Sequence, residues 1–521
     1  MVFFMTELLS NYLGGRWQAG TGQGTVLRDP VLGTELVRVD ATGLDLPAGF
    51  AFAREHGGRA LRALTYRQRG ELLAAVAKVL QANRDAYFEI STANSGTTKA
   101  DTGIDVDGAI YTLGSYAKLA AGLPDGHFLP DGEAQPLARD GSFATRHIQV
   151  PVDGLALFIN AFNFPSWGLW EKAAPALLAG VPVVAKPATA TAWLTQRMVR
   201  DVVQAGVLPV GALSIVCGGS GGLLDALAPQ DVLSFTGSAD TAAILRAHPA
   251  VTRHSVRVNI EADSINSAML MPDAAPGTPA FDLFVKELAR EMTQKAGQKC
   301  TAIRRAFVPA AHYGAVAQAV GERLARTAVG NPRNDAVRMG SLVSRAQLAS
   351  VREGLQALRA ATQVLHDGSQ APLIDADPAV ACCIGPTLLG LSTPEAVLAS
   401  DVVHEIEVFG PVATLLPYAD VAQAVGQVAR GQGSLVASLY GDDAPLLART
   451  VLQLAPLHGR VHVVSPACAA THTGHGNVMP QSLHGGPGRA GGGAELGGAR
   501  ALDFYHRRAA IQGAPEVLSG L

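Results

Sequence analysis

The feature that most constrains this chain is a regular alternation in its middle third. Short apolar runs rich in β-branched residues, Leu155 to Ile159, Val181 to Ala185, Leu213 to Val216, Val232 to Phe235 and Val256 to Ile260, are separated by stretches long enough for a helix. One such stretch, from about Thr191, carries Leu194, Met198 and Val202 at i, i+4 and i+8 and stops at Gly206. Strands that are apolar throughout are buried on both faces, and a chain that returns through a helix each time lays them parallel. The spacing therefore predicts an α/β protein with a doubly wound parallel sheet. Such sheets bind ligands beyond the carboxyl ends of their strands, which makes the residues after each run the first candidates for chemistry.

On the N-terminal side, the chain reads as helix-rich to about residue 130. Leu72, Leu73, Val76, Val79 and Leu80 share a helical face that ends near Asn83-Arg84-Asp85, and a strand-like run follows around Phe143 to Val152. A second unit begins near Asp263. Its first helix places Phe281, Phe284, Val285, Leu288 and Met292 on one side and ends by Gly297. Further α/β alternation runs to about Ser465, and Gly-rich loops come after it.

With 521 residues the chain can bury several domains without a disulfide or metal staple. Its five cysteines form no CxxC pair and are odd in number, which fits a reducing cytoplasm better than a disulfide framework. The opening MVFFMTELL is too short and too soon acidic for a signal peptide, and Met5 leaves the start open between Met1 and Met5. The longest uncharged stretch, Gly154 to Trp170, contains Asn160, Asn163 and Pro165, a poor composition for a lipid-facing helix. Lys plus Arg (41) nearly balance Asp plus Glu (44), so no strong field is available for nucleic acid or an anionic membrane. Small molecules and copies of the same chain are the expected partners.

Five places can carry chemistry. Cys300 follows an amphipathic helix in Lys295-Ala296-Gly297-Gln298-Lys299-Cys300, with Arg304 and Arg305 just beyond. Cations and a glycine-bordered turn favour a nucleophilic thiolate; a structural cysteine in a basic turn is the alternative. Glu261 is the first carboxylate at the end of the Val256 to Ile260 run, placed as a general base or as a helix-capping charge. Asn163, in Phe162-Asn163-Phe164-Pro165, offers an amide N–H to an oxyanion or is a turn residue before Phe-Pro.

Lys186, at the end of Val183-Val184-Ala185, can reach a phosphate or ribose. Phe235-Thr236-Gly237-Ser238 ends another strand and opens a helix, an anion-binding arrangement; an ordinary βα turn is the alternative for both. The only G-x-G-x-x-G match, Gly486 to Gly491, follows no strand and contains Pro487, so it fails as a dinucleotide fingerprint. His472, His475 and His484 nearby lack an accompanying acid or cysteine in a helical frame. They read as solvent-facing loop residues, and no metal is expected.

Taken together and in order, Asn163-Phe164-Pro165, Lys186-Pro187-Ala188, Phe235-Thr236-Gly237-Ser238, Glu261, Gly297-Gln298-Lys299-Cys300, Pro386-Thr387-Leu388-Leu389 and Glu407-Val408-Phe409-Gly410-Pro411-Val412 resemble the aldehyde dehydrogenase superfamily over essentially the whole chain. The resemblance implies a Rossmann-type cofactor domain (1–130 and 153–262), an α/β catalytic domain (263–494) and oligomerisation or bridging segments (131–152 and 495–521). It implies Cys300 as nucleophile, Asn163 with the Cys300 backbone N–H as oxyanion hole, and Glu261 as the base for deacylation. Lys186, Thr236 to Ser238, Glu407 and Phe409 match cofactor contacts.

Two departures sharpen the expectation. Thr189 stands where the family commonly has a glutamate that holds the adenosine ribose. A hydroxyl does not repel a 2′-phosphate as a carboxylate does, so NADP is expected rather than NAD. Glu261 is followed by Ala262-Asp263-Ser264 instead of Leu-Gly-Gly. That segment, with Trp167-Gly168-Leu169-Trp170-Glu171-Lys172 and His484-Gly485-Gly486-Pro487-Gly488-Arg489, is similar to the branch that oxidises CoA-linked semialdehydes in aerobic benzoate and phenylacetate breakdown. The chain stops soon after the dehydrogenase motifs, with no room for the hydratase of the phenylacetate enzyme, so the benzoate side is expected, as a homodimer. A non-CoA aldehyde dehydrogenase is the remaining alternative. CoA-acylating relatives lack the base glutamate, so Glu261 favours hydrolysis to an acid.

Overall fold

The computed structural model describes residues 6–219 and 221–520; Met1 and Met5 lie outside the described residues. The apolar runs form the centre of a seven-stranded sheet. Its order is Arg257–Glu261, Val232–Thr236, Ala156–Ile159, Val183–Lys186, Leu213–Ile215, Asn11–Leu13 and Arg16–Gln18. The first five are mutually parallel and the last two antiparallel. Successive crossovers run one way from Ala156–Ile159 and then back to its other side, so the strand order switches there. In register, Lys186 lies beside Ile159 and Thr236 beside Glu261, which brings three sequence-predicted residues to one sheet edge.

A second seven-stranded sheet carries Gln363–Asp367, Thr387–Gly390, Val412–Tyr418, Arg305–Pro309, Ser267–Leu270, Ser434–Tyr440 and His458–Val464, with only the first strand antiparallel. A smaller sheet pairs His506–Gly513 with Ala144–Pro151, which also receives Leu129–Pro130 and Gln135–Pro136. Among the described residues, no helix is long and apolar enough to cross a membrane.

The helix Pro279–Thr293 buries Phe284, Leu288 and Met292 and then stops abruptly. Lys295 (φ 52°), Ala296 (φ 52°) and Gly297 (φ 69°) are all left-handed, a conformation that costs an L-residue of order 1–3 kcal/mol and survives only where neighbours impose it. Asp101, on the helix Lys99–Ala120, imposes it: its Oδ1 accepts the Lys295 N–H at 3.0 Å. The turn delivers Cys300 to the edge of the first sheet.

The Gly-rich segment is not a free loop. Leu483–Gly485 and Ala494–Leu496 form a hairpin, and between them Gly493 N donates to Ile260 O at 3.0 Å while Ala262 N donates to Ala490 O at 3.0 Å. A Cβ on Gly491 or Gly493 would come within 2.3 or 2.4 Å of Ile260 O, so only bare backbone allows this approach. The segment thus clamps the chain on both sides of Glu261. The expectation of solvent-facing histidines is overturned for two of the three: the hairpin carries His484 inward to 3% exposure, and His475, 0% exposed, is buried with its Nδ1 2.8 Å from Ser438 Oγ, while His472 is half-buried.

Candidate active site

Every site residue named from the sequence lines one cavity of about 580 Å³ at the carboxyl edge of the first sheet. Lys186 and Thr189 form one end. The Thr189 hydroxyl donates to Gly218 O at 3.2 Å, and burial pushes the Lys186 ammonium down. Phe235 and Gly237 lead into Ser238, whose Oγ caps the helix Ala239–Ala247 by accepting from Thr241 N at 3.3 Å. Glu407 and Phe409 form the opposite wall. Ser264 N donates to Glu407 Oε2 at 3.0 Å, the Phe409 ring meets Phe162 edge-on at 5.7 Å, and burial pushes the Glu407 carboxyl up to about 7 despite Arg304.

Thr236 Oγ1 and both side-chain polar atoms of Asn160 are buried in this wall without a hydrogen-bond partner. Orphaned donors and acceptors around a partly apolar cavity suit a polar ligand of dinucleotide type. One feature was legible only as a departure from the family pattern: Asp263 reaches back so that Ala239 N donates to its Oδ1 at 3.0 Å, satisfying part of the helix N-terminus.

Cys300 sits where this cavity meets a second one of about 260 Å³, lined by Ile104, Tyr111, Phe164, Trp167 and Val478. Its Sγ, a Glu261 carboxylate oxygen and a His484 ring nitrogen lie within 4.8 Å of one another. Asn266 Nδ2 donates to Cys300 O at 2.7 Å and fixes the backbone. Asn163 Nδ2 donates to Gln298 O at 3.2 Å, which uses one amide hydrogen and leaves the other for a ligand at the sulfur.

The sequence argument that nearby cations favour the thiolate does not hold. Lys299 pairs with Glu291 at 2.7 Å, Arg305 meets His404 at 2.9 Å, Arg304 donates to Gly297 O at 2.8 Å, and Lys295 faces Asp101 and Asp105. Burial and the adjoining Glu261 carboxylate instead push the Cys300 thiol up, so it needs a proton acceptor to become a nucleophile.

The carboxylate nearest the thiol belongs to Glu261. Burial alone would raise its carboxyl, but His484, 2.9 Å away, and Lys172 behind it hold it below the ordinary range. Lys172 Nζ pairs with Glu171 and, at 3.0 Å, with Glu495; Glu495 Oε1 also accepts from Ser234 and Asn259, each at 2.9 Å. Burial pushes Glu171 up to about 8 even so. This buried charge cluster escapes sequence reasoning, since its members come from three distant segments.

A thiol with a carboxylate beside it, an amide on the same cavity wall and a cavity on either side is an arrangement that suits nucleophilic chemistry by cysteine. The chain belongs to the aldehyde dehydrogenase family, whose pattern matches residues 17–511. It is similar to the 3,4-dehydroadipyl-CoA semialdehyde dehydrogenase of Aromatoleum evansii, with 57% identity over 92% of this chain and 93% of that one. In fold it resembles the lactaldehyde dehydrogenase of Escherichia coli (TM-score 0.83, 20% identity, 98% of this chain and 99% of that one). It also resembles a betaine aldehyde dehydrogenase of Staphylococcus aureus in complex with NAD+ (TM-score 0.82, 22% identity, 96% of each chain).

Proposed function

We propose that this aldehyde dehydrogenase oxidises a CoA-linked semialdehyde, 3,4-dehydroadipyl-CoA semialdehyde, to its carboxylic acid with NADP in aerobic benzoate degradation. The observation that carries the reading is Cys300 at the junction of two cavities, with Glu261 at its side. The likeness over 92% of the chain to an enzyme named for that substrate supports the choice. A cavity of about 260 Å³ falls below the roughly 300–1,000 Å³ of a drug-sized site, so it holds a short acyl arm and leaves a CoA outside its mouth.

In this reading the Cys300 thiolate adds to the aldehyde carbon, and the oxyanion takes hydrogen bonds from Asn163 Nδ2 and the Cys300 N–H. Lys186, Thr189, Thr236 to Ser238, Glu407 and Phe409 hold NADP, which when bound supplies the hydride acceptor. Glu261 then draws a proton from water as its oxygen attacks the Cys300 thioester, and the acid leaves. Trp167 and Phe164 exclude bulk water around the sulfur. Thr189 supports NADP because no carboxylate stands there to repel a 2′-phosphate. Comparing turnover with NADP and NAD tests this part.

The units proposed are a cofactor domain (1–130 and 153–262), a catalytic domain (263–494) and bridging segments (131–152 and 495–521). Among the described residues the strand His506–Gly513 has a single neighbour in its sheet, and such an open edge suits pairing with a second copy in a homodimer. Light scattering in solution checks the assembly. A reducing cytoplasmic setting fits the five free cysteines.

A further inference from the structure

We propose that His484 is the positioning and proton-accepting partner of Glu261, turning the Cys300–Glu261 pair into a three-membered relay. The inference rests on the roles of Cys300 and Glu261 in the reading above and is independent of the substrate.

Four observations carry it. His484 Nε2 lies 2.9 Å from Glu261 Oε2, and a ring nitrogen is within 4.8 Å of Cys300 Sγ. The ring is fixed against Trp167, centroids 5.5 Å apart, and its residue is 3% exposed. The hairpin that carries it is hydrogen-bonded to Ile260 and Ala262, so backbone geometry on both sides of Glu261 sets the contact. His484 also lines the second cavity, where water can take up a proton.

The groups that face the ring are Glu261, Glu171 on the helix Trp167–Ala179, Glu495 opposite it in the hairpin, and Cys300, with Lys172 paired to both Glu171 and Glu495. Burial opposes an imidazolium here, yet the surrounding carboxylates outweigh it and raise the ring's affinity for a proton.

In the first half-reaction, starting from a neutral His484 ring, the S–H bond of Cys300 breaks, its proton passes to a Glu261 oxygen, and the Glu261 proton passes to His484 Nε2. Thiolate and imidazolium then flank a carboxylate. In the second, a water O–H bond breaks toward Glu261, the water oxygen bonds to the acyl carbon and the C–S bond breaks. The proton moves to His484, which has by then given the first proton up to cavity water, and stays as countercharge to the released thiolate until cavity water removes it in turn.

The test is the rate of Cys300 alkylation by iodoacetamide between pH 5.5 and 9.5, with neither substrate nor cofactor, the modified site read by mass spectrometry. For His484→Phe, which keeps a ring against Trp167, the pH midpoint should move up by about one unit or more. That lowers the rate at pH 7 about tenfold, since one unit is a factor of ten in thiolate below the midpoint. The double variant with Glu261→Gln should be no slower than Glu261→Gln alone, as expected when two groups act as one. If His484→Phe does not fold, His484→Gln is read the same way. An unmoved midpoint with a lowered melting temperature, or additive losses in the double variant, would overturn the relay. Because no aldehyde is present, that outcome leaves the substrate reading standing, and failure of the CoA semialdehyde to turn over leaves the relay standing.

Discussion

Gly297 and Gly410 meet backbone to backbone: a Cβ on Gly297 would lie 2.1 Å from Gly410 O, and the Arg304 guanidinium bridges their two carbonyls at 2.8 and 2.7 Å. The contact joins the turn that delivers Cys300 to the segment that bears Glu407 and Phe409. Since Gly297 also has φ 69°, Gly297→Ala combines a clash with a left-handed alanine. We expect it to lower turnover at least tenfold and weaken cofactor binding together, measured as kcat and KM for NADP. A loss of kcat with unchanged KM would show that the two segments are not coupled.

Asp101 tests whether the left-handed turn is held from outside. Asp101→Ala removes the acceptor of the Lys295 N–H and one of the carboxylates facing the buried Lys295 ammonium. Leaving a buried N–H without its acceptor costs about 1–3 kcal/mol, and denaturant unfolding should show a loss of that order. Asp101→Asn keeps a carbonyl acceptor and should recover part of it.

The fold was legible where local pattern and burial coincide. The five apolar runs became the five parallel strands, and Lys186, Thr236 and Glu261 fell at one edge because strand ends are fixed by where those runs stop. The charge environment was not legible. Lys299, Arg304 and Arg305 are adjacent to Cys300 in sequence, but their side chains point to Glu291, Gly297 and His404, and the group that reaches Glu261 is His484, more than two hundred residues away. Nothing in a one-dimensional pattern marks a glycine hairpin that folds back on a strand end.

Glu407 makes a pH prediction. Its folded carboxyl is pushed from 4.5 to about 7, so between those values the folded state holds a proton that the unfolded chain has lost. This group therefore weakens the fold progressively as pH rises from about 4.5 to about 7, by about 3 kcal/mol in all. Glu407→Gln should flatten that part of the stability curve relative to the parent protein, read as melting temperature at pH 5 and pH 8. Parallel curves would contradict the shift.

Thr189 makes a specificity prediction. Thr189→Glu places a carboxylate at the end of the cavity proposed to take the adenosine, where it would repel a 2′-phosphate and could hold ribose hydroxyls. The ratio of kcat/KM for NADP over NAD should fall at least tenfold, and an unchanged ratio would remove Thr189 from cofactor selection.

The measurement that bears most directly on the whole account is turnover of a six-carbon CoA semialdehyde beside its free counterpart, with NADP and with products identified by mass spectrometry. The CoA-linked acid is the expected product, with clear preference for the CoA-linked aldehyde and no turnover in Cys300→Ala. Equal turnover of the free aldehyde, or oxidation that persists in Cys300→Ala, would contradict it.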